Sequence, residues 1–354
     1  MQYNYEKRIE DFAPRIDAVI KSKRCSLNQA LIYAGFSRFL PILDCSEYDE
    51  LVRNIMINQS LAWREQIDTE VLNNCRIING QNIVYDKPAI YCAFHNSSYR
   101  LNMLYLLKKK IPVVLVASSD IIEKQSKDIY RSYSKVSDSA IMKIIDANSP
   151  TSIRTMLHEL EEGHSLFVYL DGNTGTGGMI NDKKNLVEVP ILGSTIRARK
   201  GVAAVSYISG VPMIPMITSR DGDSFPDIEI FEKIMPDRSL SRDEFSNFVT
   251  LKIYKDVLEK RLSINAGQWE PWLYLYNFYP KDGNVSVERN YFFFDKRKYD
   301  LIRKNDQFFI FEYKSLGAME VDEDTWEKLR KQTVRKEELR LEVFEDLKDN
   351  GVII

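Results

Sequence analysis

The sequence predicts an α/β fold: a mostly parallel sheet flanked by helices, with a helical amino-terminal region and a small α+β module at the carboxyl end. Three observations predict it. Short continuous apolar runs at 89–94, 111–117 and 165–170 have the pattern of strands buried on both faces. Segments with apolar residues at helical spacing alternate with them, as in a sheet covered by helices. The regions before residue 81 and after residue 283 lack that alternation.

Residues 1–80 read as helical and are expected to pack on the core. The clearest stretches are 8–21 and 48–73, which contain no glycine. The strand at 89–94 follows Lys87-Pro88 and ends at His95-Asn96-Ser97-Ser98; a helix is predicted over 99–109 and a second strand over 111–117. The helix at 149–163 has Ser149 or Ser152 as cap, apolar residues at Ile153, Met156, Leu157 and Leu160, and Gly163 as stop. The strand at 165–170 ends at Asp171-Gly172. A short strand at 187–192 ends at Gly193, a helix is predicted over 196–209 with Gly210 as stop, and a strand over 211–218. A long helix at 241–262 precedes the aromatic stretch 269–276. After Pro280 the character changes, which places a boundary near Asp282-Gly283-Asn284. Strands at 291–294, 299–303 and 308–313 and helices at 322–331 and 336–349, with Gly351 as stop, make the last module. Three parts result: 1–80, 81–283 and 284–354.

The 354 residues are 44% apolar and 28% charged, the balance of a folded globular chain. A net charge of −2 gives no basic excess for nucleic acid. No apolar run approaches the length of a membrane-spanning helix, and the start is polar and acidic rather than signal-like. A cytoplasmic protein is expected. Cys25, Cys45, Cys75 and Cys92 form no CxxC pair, so buried free thiols are expected rather than a disulfide framework or zinc site.

Of three histidines, His158 falls mid-helix and His164 just after a helix end, where surface or capping roles suffice. His95 directly follows a buried strand and opens a turn of small polar residues. There, rigid backbone fixes a base that stays open to substrate. Ligands gather at the carboxyl ends of strands in such sheets, and His95 and Asp171 both fall there.

The segment KPAIYCAFHNSSYRLNMLYLL resembles the signature block of the lysophospholipid acyltransferase superfamily, in particular its lipid A (lauroyl/myristoyl) and phosphatidylinositol mannoside branch. ELEEGHSLFVYLDGNTGTGG, VEVPILGSTIRARKGVAAVSYISGVPMIP and QWEPWLYLY resemble later blocks of that branch, in the same order. The resemblance covers about residues 50–280 and implies a glycerol-3-phosphate acyltransferase-like core. It also implies that His95 is a general base taking a proton from an acceptor hydroxyl or amine as it attacks an acyl thioester, with no acyl-enzyme and no metal. The donor would be an acyl carrier protein or coenzyme A thioester, with no tightly bound cofactor. The acceptor would be a lipid, a peptide or a specialised metabolite.

The family's acid four residues beyond the histidine is missing, and Arg100 occupies its place. Arginine cannot accept the imidazole N–H. Three readings stay open: the orienting acceptor comes from elsewhere, with Asp171 first and Glu188 second; the base works without an acid; or the protein binds without catalysing, holding a carrier protein, peptide or lipid. Ser97 and Ser98 are too close to His95 on one turn for in-line proton transfer, and turn hydrogen bonds account for them.

The glycine-rich segment from Asn173 to Gly178 fits neither phosphate-loop pattern and reads as a flexible edge of the site. Arg197, Arg199 and Lys200 are expected to open a helix there and meet a phosphopantetheine phosphate or an acidic carrier protein, with Arg100 recruiting an anion beside them. Candidate substrate-binding residues are therefore Arg100, Asn173, Arg197, Arg199, Ser98 and Glu188. Lys108-Lys109-Lys110 reads as a solvated helix end with a weak membrane-surface potential. Tyr99, Leu101, Met103 and the aromatic stretch 269–276 are candidates for an acyl slot. Residues 288–354 resemble, in layout, the small winged-helix modules that bind leader peptides, which implies delivery of a peptide or carrier-bound acceptor.

Overall fold

The structure is a computed structural model and describes residues 3–23, 26–136, 143–172, 185–278, 291–331, 333–335 and 338–353. The chain forms two compact units. One comprises Met1–Pro14 with Asn54–Pro271, the other Arg15–Arg53 with Trp272–Ile354.

The chain opens with α1 (Tyr5–Ile9), α2 (Ala13–Ser22), α3 (Leu27–Phe39), α4 (Tyr48–Glu65) and α5 (Thr69–Asn74). The single helix expected over 8–21 is two, because Pro14 lacks an amide proton and suits only a first helical turn. The helix expected over 48–73 breaks at Glu65. Asp68 then caps α5 by accepting from the Glu70 and Val71 amides.

The first unit carries β1 (Arg76–Ile78), β2 (Ile90–Ala93), α6 (Arg100–Lys108), β3 (Val113–Ala117), α7 (Ser119–Ser134), β4 (Lys143–Asp146), α8 (Ser152–Glu161), β5 (Ser165–Tyr169), β6 (Leu186–Ile191), β7 (Ser194–Arg199), α9 (Gly201–Ser209), β8 (Met213–Ser219), β9 (Asp227–Ile230), α10 (Arg242–Ile253) and α11 (Lys260–Ile264). Seven strands form one sheet in the order β1-β9-β8-β2-β5-β3-β4. From β8 to β4 every pairing is parallel, while β9 pairs antiparallel to β8. This is the mostly parallel, helix-flanked α/β architecture that the apolar runs predict. All four residues of β2 are buried, as a central strand requires.

A further stretch differs from expectation. Residues 196–209 are not one helix: Ser194–Arg199 is a strand paired antiparallel with β6, and the helix starts at Gly201. Leu192 and Gly193, at φ 49° and 75°, form the two-residue turn that a tight hairpin favours. Gly193 therefore turns the chain back instead of only ending a strand. α7 and β4 were not read from the sequence.

The second unit contains α2 from Arg15 onward, α3, β10 (Tyr291–Phe293), β11 (Tyr299–Lys304), β12 (Gln307–Glu312), β13 (Ala318–Val321), α12 (Glu323–Arg330), β14 (Thr333–Arg335) and α13 (Leu341–Asp349). β11, β12 and β13 make an antiparallel sheet; β10 and β14 pair separately. Phe292, Ile310, Trp326, Leu329, Phe344 and Ile353 are among its core residues. Phe36 of α3 packs edge-on against Trp272 at 5.5 Å, and Ala30 and Ala34 join Phe311 and Tyr313 in a cluster. The three-part reading divides the chain differently. It assigned 1–80 to packing on the core, whereas 15–53 belong to the compact unit that contains 272–354.

Among the described residues, no helix is long and apolar enough to cross a membrane. Cys92 is buried but Cys45 is exposed, so the buried thiol expected there is corrected; Cys25 lies outside the described residues.

Leu329 is fully buried in the second unit. Leu329→Ala should lower that unit's unfolding free energy by about 2–5 kcal/mol in urea melts; a loss below about 1 kcal/mol would contradict the packing described.

Candidate active site

Strand register builds the site. β2 and β5 are parallel neighbours in which Ile90 faces Leu166 and Ala93 faces Tyr169. Two residues beyond each strand, the same register brings His95 level with Asp171. His95 Nδ1 lies 2.7 Å from Asp171 Oδ1, and the His95 amide donates to Oδ2 at 2.9 Å. Trp269 Nε1 donates to the same Oδ2 at 2.7 Å. A carboxylate only accepts, so Nδ1 carries the proton and the neutral ring presents Nε2 as a base. Nε2 makes no hydrogen bond to a described residue.

Asp171 is completely buried and the His95 side chain is 17% exposed. Burial disfavours the charged imidazolium, but the charge and hydrogen bond of Asp171, with Glu270 adding, outweigh it and raise the His95 pKa. Protonation therefore favours the folded state. That contribution is complete below the unfolded pKa of about 6.5 and is lost as pH rises through the higher folded value. The ring packs against Tyr99 and Tyr169, with centroids 4.6 and 4.3 Å away, and the two tyrosine rings meet edge-on at 5.3 Å.

The turn after β2 is tied to the segment before Pro271. Ser97 adopts φ 53° and its amide donates to Gln268 O at 2.7 Å, while the Glu270 amide donates to His95 O at 2.9 Å. Asn96 Nδ2 donates to Thr218 O at the end of β8, at 2.8 Å. Tyr254 opens a π-helical turn, Tyr254–Glu259, donates to Leu170 O at 2.9 Å and meets the Phe94 ring edge-on at 5.0 Å. One side chain thus braces both strand ends.

Beneath the turn lies an ion pair that sequence reading missed. Glu65 and Arg220 are 0% and 3% exposed and 2.7 Å apart. Ser98 and Tyr3 each donate a hydroxyl to Glu65, and Arg220 Nη2 lies 3.3 Å from Ser98 Oγ. Glu65 and Arg220 are far apart in sequence and match no motif. The only signal was a charged residue inside an apolar helical pattern.

Other candidates are placed as follows. Arg100 stacks on Trp63 at 3.8 Å and is held by Gln66 and Gln125 at 3.3 and 2.9 Å. Glu188 faces Arg197 across the β6–β7 hairpin, 4.0 Å away, so the imidazole partner is Asp171 and not Glu188. Arg197 and Arg199 sit on β7, which corrects their expected place on a helix; Lys200 pairs with Asp243 at 2.5 Å. Ser98 is committed to Glu65. Leu101 and Met103 belong to the core, and Trp269 is bound to Asp171, so none of the three is an open slot. Asn173 and the glycine-rich segment lie outside the described residues. His158 is exposed, and His164 Nδ1 lies 2.7 Å from Glu159. An open surface dish of about 580 Å³, lined by Tyr207, Arg238, Ser241 and Arg242 among others, shares no lining residue with the site. Among the described residues, no cluster of three or more His, Cys, Asp or Glu side chains could hold a metal ion.

No family model matches the chain, and no curated protein matches it. One similar solved structure is the 1-acyl-sn-glycerophosphate (LPA) acyltransferase PlsC of Thermotoga maritima. It is 15% identical with a TM-score of 0.36, over 71% of this chain and 99% of that one. A likeness this distant assigns no chemistry.

Glu65→Gln would leave the Arg220 charge buried without its partner, and it should cost about 3–5 kcal/mol in a denaturant melt. Tyr3→Phe should cost about 1 kcal/mol. Equal effects from the two would contradict a charge-centred network.

Proposed function

We propose that the protein is an acyltransferase that moves an acyl group from a thioester to an amine or hydroxyl acceptor, with His95 as general base and Asp171 as its orienting acid. The observation that carries this reading is the 2.7 Å contact between His95 Nδ1 and the buried Asp171 carboxylate at the ends of neighbouring parallel strands. It supplies from a distant segment the acceptor whose usual place Arg100 occupies. The order of the sequence blocks resembling lipid A acyltransferases supports the same chemistry.

In the proposed step, Nε2 takes the acceptor proton as the acceptor nitrogen or oxygen attacks the thioester carbonyl. Asp171 stabilises the imidazolium that forms. As the tetrahedral intermediate collapses, the carbon–sulfur bond breaks and the imidazolium returns the proton to the leaving thiolate. An amide or ester and a free thiol result. The donor is a coenzyme A or acyl carrier protein thioester, and the half-buried Arg197 and Arg199 are candidate contacts for its phosphate.

With acyl thioester and acceptor supplied, His95→Ala should lower kcat at least about 100-fold with the donor KM little changed. A fall below about threefold would remove His95 from the chemistry. The base must be neutral to act, so kcat/KM should rise with pH through a midpoint above about 6.5. Asp171→Asn should move that limb to lower pH while reducing the plateau. Thioester binding without turnover in the wild type would favour a binding protein instead.

A further inference from the structure

Two opposite charges beside His95 are incompletely satisfied among the described residues. Arg100 is the first residue of α6, where the helix dipole opposes a cation. Its guanidinium carbon lies over the Trp63 ring at 3.8 Å and 5.3 Å from the centre of the Tyr99 ring. The side chains that hold it by hydrogen bonds, Gln66, Gln125 and Tyr99, are neutral; among the described residues no carboxylate lies within ion-pair distance. Its Nε is buried without a hydrogen-bond partner. Glu270 also reaches the Tyr99 hydroxyl, which hydrogen-bonds with both charged groups. Glu270 Oε2 is likewise buried without a partner. Both charges act on the His95 imidazole, in opposite senses.

The balance of charge selects among acceptors. A neutral alcohol or amine would leave both orphaned atoms desolvated and unpaired, at a cost of about 1–3 kcal/mol each. A phosphate dianion would gain one guanidinium but face Asp171 and Glu270 at close range. A zwitterion satisfies both sides: a planar carboxylate matches the guanidinium fork, and an ammonium matches the carboxylate.

Building on the acyl transfer proposed above, we propose that Arg100 and Glu270 form an acceptor subsite for a zwitterion of the amino acid class, with its carboxylate on Arg100 and its amine between Glu270 and His95. The ammonium gives one proton to Glu270, which passes it to water. The free amine then attacks the thioester carbonyl. His95 takes a second proton from nitrogen as the C–N bond forms and hands it to the departing thiolate. The products are an N-acyl amino acid and a thiol.

The test offers wild-type protein one acyl-coenzyme A, in parallel with one acyl carrier protein thioester. The acceptors are a panel of free amino acids, their methyl esters, the matching amines without a carboxylate, the matching hydroxy acids and phosphoethanolamine. Products are read by mass spectrometry and kcat/KM. The expected result is an amino acid preferred at least tenfold over its own ester and amine, with Arg100→Gln bringing that ratio within threefold, mainly through acceptor KM. Acyl transfer that treats acid, ester and amine alike, or that prefers phosphoethanolamine, overturns the subsite while leaving acyl transfer intact. Thioesters left intact with every acceptor overturn acyl transfer itself and the subsite with it. If Arg100→Gln does not fold, the wild-type preference decides alone.

Discussion

A buried carboxylate holds the site together. Asp171 is fully enclosed, and the donors around it are the His95 amide, the His95 ring and the Trp269 indole. An unpaired buried carboxylate is too costly to persist, so these N–H groups are a condition of its burial rather than an ornament. The same contacts set the imidazole tautomer and raise its pKa. They also join three separate chain segments, the turns after β2 and β5 and the segment before Pro271. The orientation of the imidazole and the local fold therefore depend on one charge.

The supports around that charge form a second shell of constraint. Glu65, Arg220, Ser98 and Tyr3 form a buried polar group under the His95 turn, and Gln268 joins it by exchanging hydrogen bonds with the Arg220 backbone. Such networks are high-stakes because every member depends on the others in a low dielectric. The aromatic walls of Tyr99 and Tyr169 complete the frame. Arg100 Nε and Glu270 Oε2, which have no hydrogen-bond partner among the described residues, are what give the proposed acceptor subsite its chemical character.

Much of this was legible in the sequence, for physical reasons. Continuous apolar runs identify parallel strands, so β2, β3, β5 and β8 were readable, and with them the strand ends where His95 and Asp171 stand. Their pairing was a first choice among open readings, because sequence does not say which strands are neighbours; the β2–β5 register does. The segment around Arg197 and Arg199 misled because alanine, arginine and lysine suit helices, while the Leu192-Gly193 turn that makes it a hairpin depends on backbone conformation. Glu65 and Arg220 could not be paired from the sequence, because a buried ion pair between distant residues leaves no shared local pattern. The place of residues 15–53 in the second unit was hidden for the same reason: helical patterning shows an apolar face but not its partner.

The central claim is that Asp171 holds His95 with its proton on Nδ1, leaving Nε2 as a base of raised pKa. The most direct measurement is a pH titration of the imidazole nitrogen shifts in ¹⁵N-histidine-labelled protein, with His158 and His164 assigned by substitution to glutamine. The account predicts that the neutral His95 ring is the Nδ1–H tautomer and titrates above free imidazole, and that Asp171→Asn lowers that midpoint. A neutral ring protonated on Nε2, or a midpoint indifferent to Asp171→Asn, would contradict it.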